Sequence, residues 1–154
     1  MIFKYIAGNS IKSSINVSNK IIENGKIPII NYAVEESKNK KLIFNEHTKL
    51  ITNLDENYKI AIKLSAFGFN KSLIDDIINK AKSKNIQIVI DAEKGSDYNR
   101  YQELINNLIL YHNIDKCNVV KTYQMYRKDS LNELKDDIIF FNNNDRFLGT
   151  KLVR

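Results

Sequence analysis

The chain has 154 residues, 43% of them hydrophobic, which fits one domain with a buried core and argues against wholesale disorder. A single cysteine, Cys117, excludes a disulfide framework and a cysteine-based zinc site. The formal net charge is +6, from 24 Lys and Arg against 18 Asp and Glu. Because the lysines are scattered and arginine is scarce, this charge is a weak indication of a nucleic-acid partner, and we expect none.

Hydrophobic periodicity predicts alternating helices and strands from the start of the chain. Ser10 is suited to cap a first helix, which we expect to stop near Gly25. A strand follows over 27–34, then a poorly patterned helix around 42–54, and then a second strand over 58–67. The first half of the chain therefore predicts two helix–strand units.

The second half of the chain continues the same alternation. Its predicted elements are a helix face over 73–81, a strand over 86–92, a helix face over 98–109, a strand over 119–126, a helix capped by Asp129 or Ser130, and a strand over 147–154. Strands and helices that alternate through short connections form βαβ crossovers and a parallel sheet. The predicted fold class is α/β, and we expect residues 1–154 to form one domain.

One polar residue comes late in each predicted strand. These residues are Glu35, Lys63, Asp91, Gln124 and Lys151, spaced by 27 to 33 residues. In a (β/α)₈ barrel the ends of successive strands meet at the mouth, so these side chains would converge into a site for a small zwitterion or a polar ring. The alternative is that Lys63 and Asp91 form a structural ion pair in an ordinary α/β core.

Four strand segments carry motifs that resemble those of a known family. They read Ile62-Lys63-Leu64-Ser65-Ala66-Phe67-Gly68, Ile90-Asp91-Ala92-Glu93, Tyr123-Gln124-Met125-Tyr126 and Lys151-Leu152-Val153-Arg154. Their order and spacing resemble the successive strand motifs of the proline dehydrogenase family. Ile6-Ala7-Gly8, followed by a helix, resembles the segment before the first strand of that family. The resemblance covers nearly the whole chain.

The resemblance implies an FAD-dependent TIM-type (β/α)₈ barrel that oxidises L-proline to Δ1-pyrroline-5-carboxylate in proline catabolism. Hydride would pass from the proline ring to flavin N5, and the electrons would then leave to a quinone. A barrel of this kind takes about 250 residues, so we expect about five βα units, a parallel sheet and an incomplete barrel here. We therefore expect a truncated chain that is impaired when isolated and active only if the missing part comes from a complementing chain or from a longer product.

The resemblance also implies roles for individual residues. Lys63 matches the catalytic lysine near the substrate carboxylate and flavin, and Asp91 matches the aspartate that orders the site. Gln124 matches the glutamine that hydrogen-bonds the flavin ring. Lys151 matches a basic residue beside flavin N5, and the backbone at Val153 would also touch the ring.

Glu35 matches a gate residue of the family by position alone, because the segment reads Ala33-Val34-Glu35 where the family usually has a Leu-Gly-Glu-like motif. His47 and His112 have no second metal ligand near them in sequence, so we expect no metal site. The family is mitochondrial in eukaryotes and cytoplasmic or membrane-peripheral in bacteria, and no targeting segment is visible here.

Two other functions remain open from the sequence. The chain could be a non-catalytic remnant or an interaction module that associates through an open sheet edge. It could also be a basic nucleic-acid-binding α/β domain, a reading that the scattered lysines disfavour. Flavin binding would distinguish an enzyme from a non-catalytic remnant or interaction module. An affinity for nucleic acid that falls steeply with salt would identify a nucleic-acid-binding domain.

Overall fold

The computed structural model describes residues 6–32, 39–93 and 95–154, and it bears out the predicted alternation. The helices and strands in these ranges are α1 (Ile11–Glu23), β1 (Ile29–Asn31), α2 (Lys40–Thr52), β2 (Lys59–Ile62), α3 (Lys71–Lys82), β3 (Gln87–Ile90), α4 (Tyr98–His112), β4 (Val119–Gln124), α5 (Ser130–Asn143) and β5 (Gly149–Val153). Short 3-10 turns at Ser65–Phe67 and Gly95–Asp97 follow β2 and β3.

The five strands form one parallel sheet in the order β1-β2-β3-β4-β5. Each strand pairs with the next strand in sequence, and a helix connects the two. This is the strand order of a (β/α)₈ barrel, in which neighbours in sequence are neighbours in the sheet. The predicted α/β class and partial TIM-type barrel are confirmed. That residues 1–154 make up a single partial domain stays a prediction.

The strands are shorter than their hydrophobic runs predicted. The second predicted strand, 58–67, ends at Ile62 because Ser65–Phe67 turns into a 3-10 helix, which buries Phe67. Gly68 then closes the turn with a φ of 60°, a left-handed conformation that suits glycine. The apolar residues at the end of this run therefore fill the core from a turn rather than from a strand.

The helix signals were predicted more accurately at the first helix than at the last. Ser10 caps α1, since its Oγ accepts a hydrogen bond from the backbone N–H of Ser13 at 3.1 Å. Asp129 takes the N-cap position of α5, but its side chain makes no capping hydrogen bond. Ser130 instead donates its hydroxyl to the carbonyl of Gln124 at 2.6 Å, which fixes the turn after β4.

The face of the sheet that the helices cover holds the main core, called here the outer core. Its sheet side consists of fully buried side chains, with Ile60 and Ile62 on β2 followed by Ile88 and Ile90 on β3. The helices α2, α3 and α4 supply further buried isoleucines and leucines against them. Burial of each such side chain contributes about 1.5–3 kcal/mol of transfer free energy, so this layer provides most of the hydrophobic stabilisation.

The opposite face, called here the inner face, carries small residues lower in the strands. Ala61, Val89 and Val120 are register partners on β2, β3 and β4 and form a small apolar cluster with Cys117. Gly149 continues this level on β5, where a Cβ atom would collide with the sulfur of Cys117. The inner face is therefore narrow at its base, and larger polar side chains begin one level higher.

The fifth strand is one of the two edges of the sheet within the described residues, and β1 is the other. Leu152 projects from β5 on the helix side and is 57% exposed, whereas Ile62 and Ile90 on that side are covered. No helix in the described parts of the chain is long and apolar enough to cross a membrane.

Candidate active site

Four residues lie at one level of the inner face, at the carboxyl ends of their strands. The pairing of β2 with β3 puts Lys63 level with Asp91, and the N–H of Asp91 donates to the carbonyl of Ile62 at 2.9 Å. The pairing of β3 with β4 puts Asp91 level with Thr122. Thr122 is in turn the register partner of Lys151. We call Lys63, Asp91, Thr122 and Lys151 the inner row.

An ion pair within the inner row joins Asp91, at the end of β3, to Lys151 on β5. The ammonium of Lys151 lies 2.6 Å from Oδ1 of Asp91, with side-chain exposures of 30% and 17%. The amide of Asn31, on β1, donates to Oδ2 of the same carboxylate at 3.4 Å. The partner that the structure gives Asp91 is therefore Lys151, rather than the Lys63 of the structural alternative considered from sequence.

A second link holds the turns above β2 and β3 together. The backbone N–H and the hydroxyl of Ser65 both donate to Oε1 of Glu93, at 3.0 and 2.7 Å. Lys63, half-buried just before this turn, is thus carried on a segment that is fixed to the end of β3. The arrangement sets the position of the Lys63 backbone relative to Asp91.

Two polar side chains of the inner face make no hydrogen bond in the parts of the chain that the structure describes. The hydroxyl of Thr122 is one of them. The side-chain amide of Gln124, in a residue that is only 8% exposed, is the other. Buried polar groups normally find partners, so an unpaired amide and hydroxyl at a strand-end mouth indicate a place for a polar ligand.

Two predicted site residues remain, and the structure describes Val153 but not Glu35. Val153 is the register partner of Gln124, and its carbonyl accepts a hydrogen bond from the N–H of Met125 at 2.8 Å. It is therefore next to Gln124, as the predicted flavin contact requires. Glu35 lies outside the described residues, and its role as a gate residue stays a prediction.

Sequence reasoning missed the most buried charged residue of the chain. Lys121 lies on β4, faces the helices, and has no exposed side-chain surface. Its ammonium contacts Asp137 at 2.5 Å and Gln102 at 2.6 Å, and Tyr123 donates its hydroxyl to Asp137 at 2.7 Å. Burial and the adjacent carboxylate raise the pKa of Tyr123 far above its ordinary value, so the hydroxyl remains a donor.

The two histidines are both buried in the helix layer. Nδ1 of His47 lies 2.8 Å from the carbonyl of Ile43, and Nε2 of His112 lies 2.9 Å from Oδ1 of Asp75. Burial lowers the pKa of both histidines, although Asp75 opposes this at His112. Across the residues that the structure describes, no group of three or more His, Cys, Asp or Glu side chains is arranged to hold a metal ion.

Comparison with known families decides the assignment. The sequence profile of the family described as "Proline dehydrogenase" matches residues 13–154. The chain belongs to the proline dehydrogenase family. This membership confirms the resemblance that the strand motifs indicated, and the family is one of oxidoreductases. No curated protein sequence matches the chain.

Solved structures similar to this proline dehydrogenase family member are proline utilization A (PutA) proteins. PutA from Bdellovibrio bacteriovorus, inactivated by N-propargylglycine, matches with a TM-score of 0.82 and 17% identity, over 98% of this chain and 20% of that one. A mutant of Bradyrhizobium japonicum PutA matches with a TM-score of 0.67 and 15% identity, over 82% of this chain and 15% of that one. A PutA with proline bound in remote sites matches at 0.71 and 14%, over 97% and 18%. The chain thus spans at most a fifth of these proteins, and the likeness shows the fold.

Proposed function

We propose that this chain carries the flavin-binding part of an enzyme that oxidises L-proline to Δ1-pyrroline-5-carboxylate, with FAD as cofactor and a quinone as final electron acceptor. The observation that carries the proposal is the ion pair between Asp91 and Lys151 on the inner face, next to the unpartnered amide of Gln124. The proline dehydrogenase family membership supplies the chemistry that such a mouth would serve.

The residues at the mouth fit a flavin. When bound, FAD supplies the acceptor for a hydride from the proline ring. Gln124 offers amide donors and an acceptor to the polar edge of a flavin ring, and the backbone of Val153 lies beside it. Lys151 holds positive charge at the same mouth, where it would stabilise negative charge that develops on an electron-accepting ring. Asp91 orients Lys151 by accepting its hydrogen bond.

The substrate side of the proposal depends on Lys63. Lys63 is half-buried and lies in the chain at the level of Asp91, and we propose that its side chain serves a carboxylate-bearing substrate. A lysine favours a bound carboxylate as a positive point charge. Glu35, as the gate residue of the resemblance, is proposed to complete this side of the site.

A quinone acceptor has consequences for location. Because long-chain quinones dissolve in the bilayer, we propose that the working enzyme contacts a membrane peripherally. By analogy with its family, the protein would be mitochondrial or cytoplasmic and membrane-peripheral. Cosedimentation of the protein with quinone-containing vesicles tests this, and a protein that stays in the supernatant at all lipid concentrations contradicts it.

The central experiment is to mix the purified chain with FAD, desalt it, and record the visible spectrum before and after anaerobic addition of L-proline. Retained flavin that bleaches supports the whole proposal, with D-proline as the matched control. Retained flavin without bleaching supports the cofactor assignment and locates the rest of the substrate grip outside these residues. A Gln124→Leu variant should retain less flavin than the wild type, and a wild type that retains none contradicts the proposal.

The exposed edge of the sheet at β5 favours a second function, association of the chain through that edge. Leu152 and Phe147 are 57% and 52% exposed at β5, where the equivalent side of the inner strands is covered by helices. Apolar surface at an unpaired strand is a site of protein association. Light scattering over a range of protein concentrations tests this: association that Leu152→Lys abolishes supports it, and a monomer at all concentrations contradicts it.

A further inference from the structure

A cavity of about 570 Å³ opens beside the candidate active site, between the start of α4 and the turn that follows β4. Its wall includes Ser96 and Tyr98 on one side and Gln124 and Arg127 on the other. Gln124 therefore belongs both to the inner face and to this cavity.

Arg127 is held in a fixed position but is not neutralised. Its guanidinium carbon lies 4.1 Å from the centre of the Tyr98 ring, a cation–π geometry. Tyr98 is itself fixed because its hydroxyl donates to Glu133. In the described portion of the chain, no carboxylate pairs with the Arg127 guanidinium and no acceptor takes its N–H groups. Stacking on Tyr98 thus orients the N–H donors of the Arg127 guanidinium at the rim of the cavity.

The second observation is the amide of Gln124. The residue is more than nine-tenths buried, lines the same cavity, and makes no side-chain hydrogen bond to any described residue. The amide is therefore mostly shielded from water, and no described residue takes the place of that water. A ligand in the cavity would restore this hydrogen bond while it accepted others from Arg127.

The charges nearby favour an anion. Glu133 lies behind Tyr98, but its carboxylate accepts hydrogen bonds from Tyr98 and Gln102 and lies 3.5 Å from the ammonium of Lys121. Its negative charge is therefore compensated within the helix layer. Asp97 precedes α4 but is exposed and does not line the cavity. Among the described residues that line the cavity, Arg127 is thus the one that carries a charge.

We propose that this cavity is an oxyanion subsite that binds a phosphate group, with Arg127 as the cation and Gln124 as the neighbouring neutral donor. A guanidinium matches the paired oxygens of phosphate with two parallel hydrogen bonds. The phosphate can belong to FAD or be free in solution. The FAD source rests on the proposed function, since Gln124 would then join the subsite to the flavin ring, whereas free phosphate does not depend on it.

The test compares four probes: FAD, riboflavin, ADP and inorganic phosphate. Flavin fluorescence follows the first two, and calorimetry follows the others. Arg127→Met, which keeps the apolar stem of the side chain, should weaken FAD and ADP about tenfold or more and leave riboflavin unchanged. Arg127→Lys should retain part of the affinity. Arg100→Met is the matched control, because Arg100 stacks on Phe69 at 4.6 Å outside the cavity.

The outcomes separate this inference from the proposed function. Loss of ADP or phosphate binding in Arg127→Met supports the subsite even if no flavin binds. Selective loss of FAD, with riboflavin retained, supports it and assigns the phosphate to the cofactor. If wild type and Arg127→Met bind all four probes alike, or if neither binds phosphate in any form, the subsite is overturned while a flavin-ring site can still stand. Equal unfolding midpoints of the variants would exclude misfolding.

Discussion

Two lysines on neighbouring strands lie on opposite sides of the sheet and differ in burial and in the number of their hydrogen-bond partners. Lys121, on β4, faces the helices, is fully buried, and contacts Asp137, Gln102 and Asn106. Lys151, on β5, faces the inner side, is 30% exposed, and is paired with Asp91. One ammonium has a full set of protein partners, whereas the other has donors left over at the mouth of a site.

The contrast shows how to distinguish a structural charge from a functional one. An ammonium has three donors, and Lys121 directs its donors at acceptors from α4 and α5, so it connects two helices to the sheet. Nothing remains for a ligand. Lys151 combines partial exposure with an orienting carboxylate, which leaves it positioned and available. Burial by itself would have selected Lys121, which the structure gives a full set of protein partners, rather than Lys151.

The largest expected effect comes from breaking the structural member of this comparison. Lys121→Met leaves the carboxylate of Asp137 in the helix layer with the hydroxyl of Tyr123 but without its counter-charge. Removal of one partner of a buried ion pair typically destabilises a protein by about 3–5 kcal/mol. Urea unfolding followed by circular dichroism measures this loss.

The control for this experiment removes both charges. A Lys121→Met, Asp137→Leu double variant leaves no uncompensated charge, so it should be more stable than the single variant. If the unfolding free energy of the single variant lies within about 1 kcal/mol of the wild-type value, the Asp137 carboxylate is accessible to water. That result would contradict the distinction between the two lysines.

Lys151→Met addresses the functional member, and its effect should appear in binding rather than in stability. Loss of a charge-assisted hydrogen bond should weaken FAD binding about ten- to a hundredfold. The unfolding free energy should change by less than about 1 kcal/mol, because the pair with Asp91 is partly exposed. Fluorescence titration and urea unfolding measure the two quantities. Lys151→Arg should bind FAD nearly as well as the wild type, and unaltered binding in Lys151→Met would contradict the assignment.

The sequence predicted three of the four members of the inner row, because period-two alternation is a local property, but it chose Gln124 on β4 where the register places Thr122. Lys63, Asp91 and Lys151 each follow or interrupt an apolar strand, and equal spacing along the chain implied equal height in a parallel sheet. The actual pairing was beyond this reasoning. Whether Asp91 meets Lys63 or Lys151 depends on side-chain reach across β4, which only the three-dimensional register determines.

Lys121 and Tyr123 escaped notice for a different physical reason. They alternate with Thr122 and Gln124, so β4 is polar on both faces, and alternation cannot assign either set to the site. The acceptors for Lys121 come from α4 and α5, 15 to 19 residues away in sequence. The available signal for a buried network in the helix layer was that β4 has polar residues on both faces.

A matched pair of tyrosines tests this network with a smaller change. Tyr123 donates its hydroxyl to Asp137, whereas the equally buried hydroxyl of Tyr101 has no hydrogen-bond partner in the described regions. Tyr123→Phe should cost about 1.5 kcal/mol, since it removes a hydrogen bond to a charged acceptor. Tyr101→Phe should be neutral or stabilising, since it removes an unpaired polar group. Urea unfolding of both variants measures the difference, and equal losses would contradict the network.

The smallest expected effect is the loss of folding stability at mildly acidic pH. We attribute this loss to groups on the helix side of the sheet. His47 and His112 lie there, and burial lowers the pKa of both below the ordinary value. The folded protein therefore binds fewer protons than the unfolded chain between those lowered values and about pH 6.5, so stability falls as pH falls through this window. The lowered pKa of Asp75 adds a loss only at stronger acidity, below its ordinary range.

Unfolding free energies at about pH 7.5 and about pH 5.5 isolate the histidine contribution, because carboxylates remain ionised at both values. In the wild type the free energy should be lower at the acidic value. A His47→Gln, His112→Gln double variant should be less stable at neutral pH but show a smaller difference between the two values, because it has lost the groups that take up protons on unfolding. If the double variant retains the whole difference, the acid-sensitive groups are not these two histidines, and the assignment is contradicted.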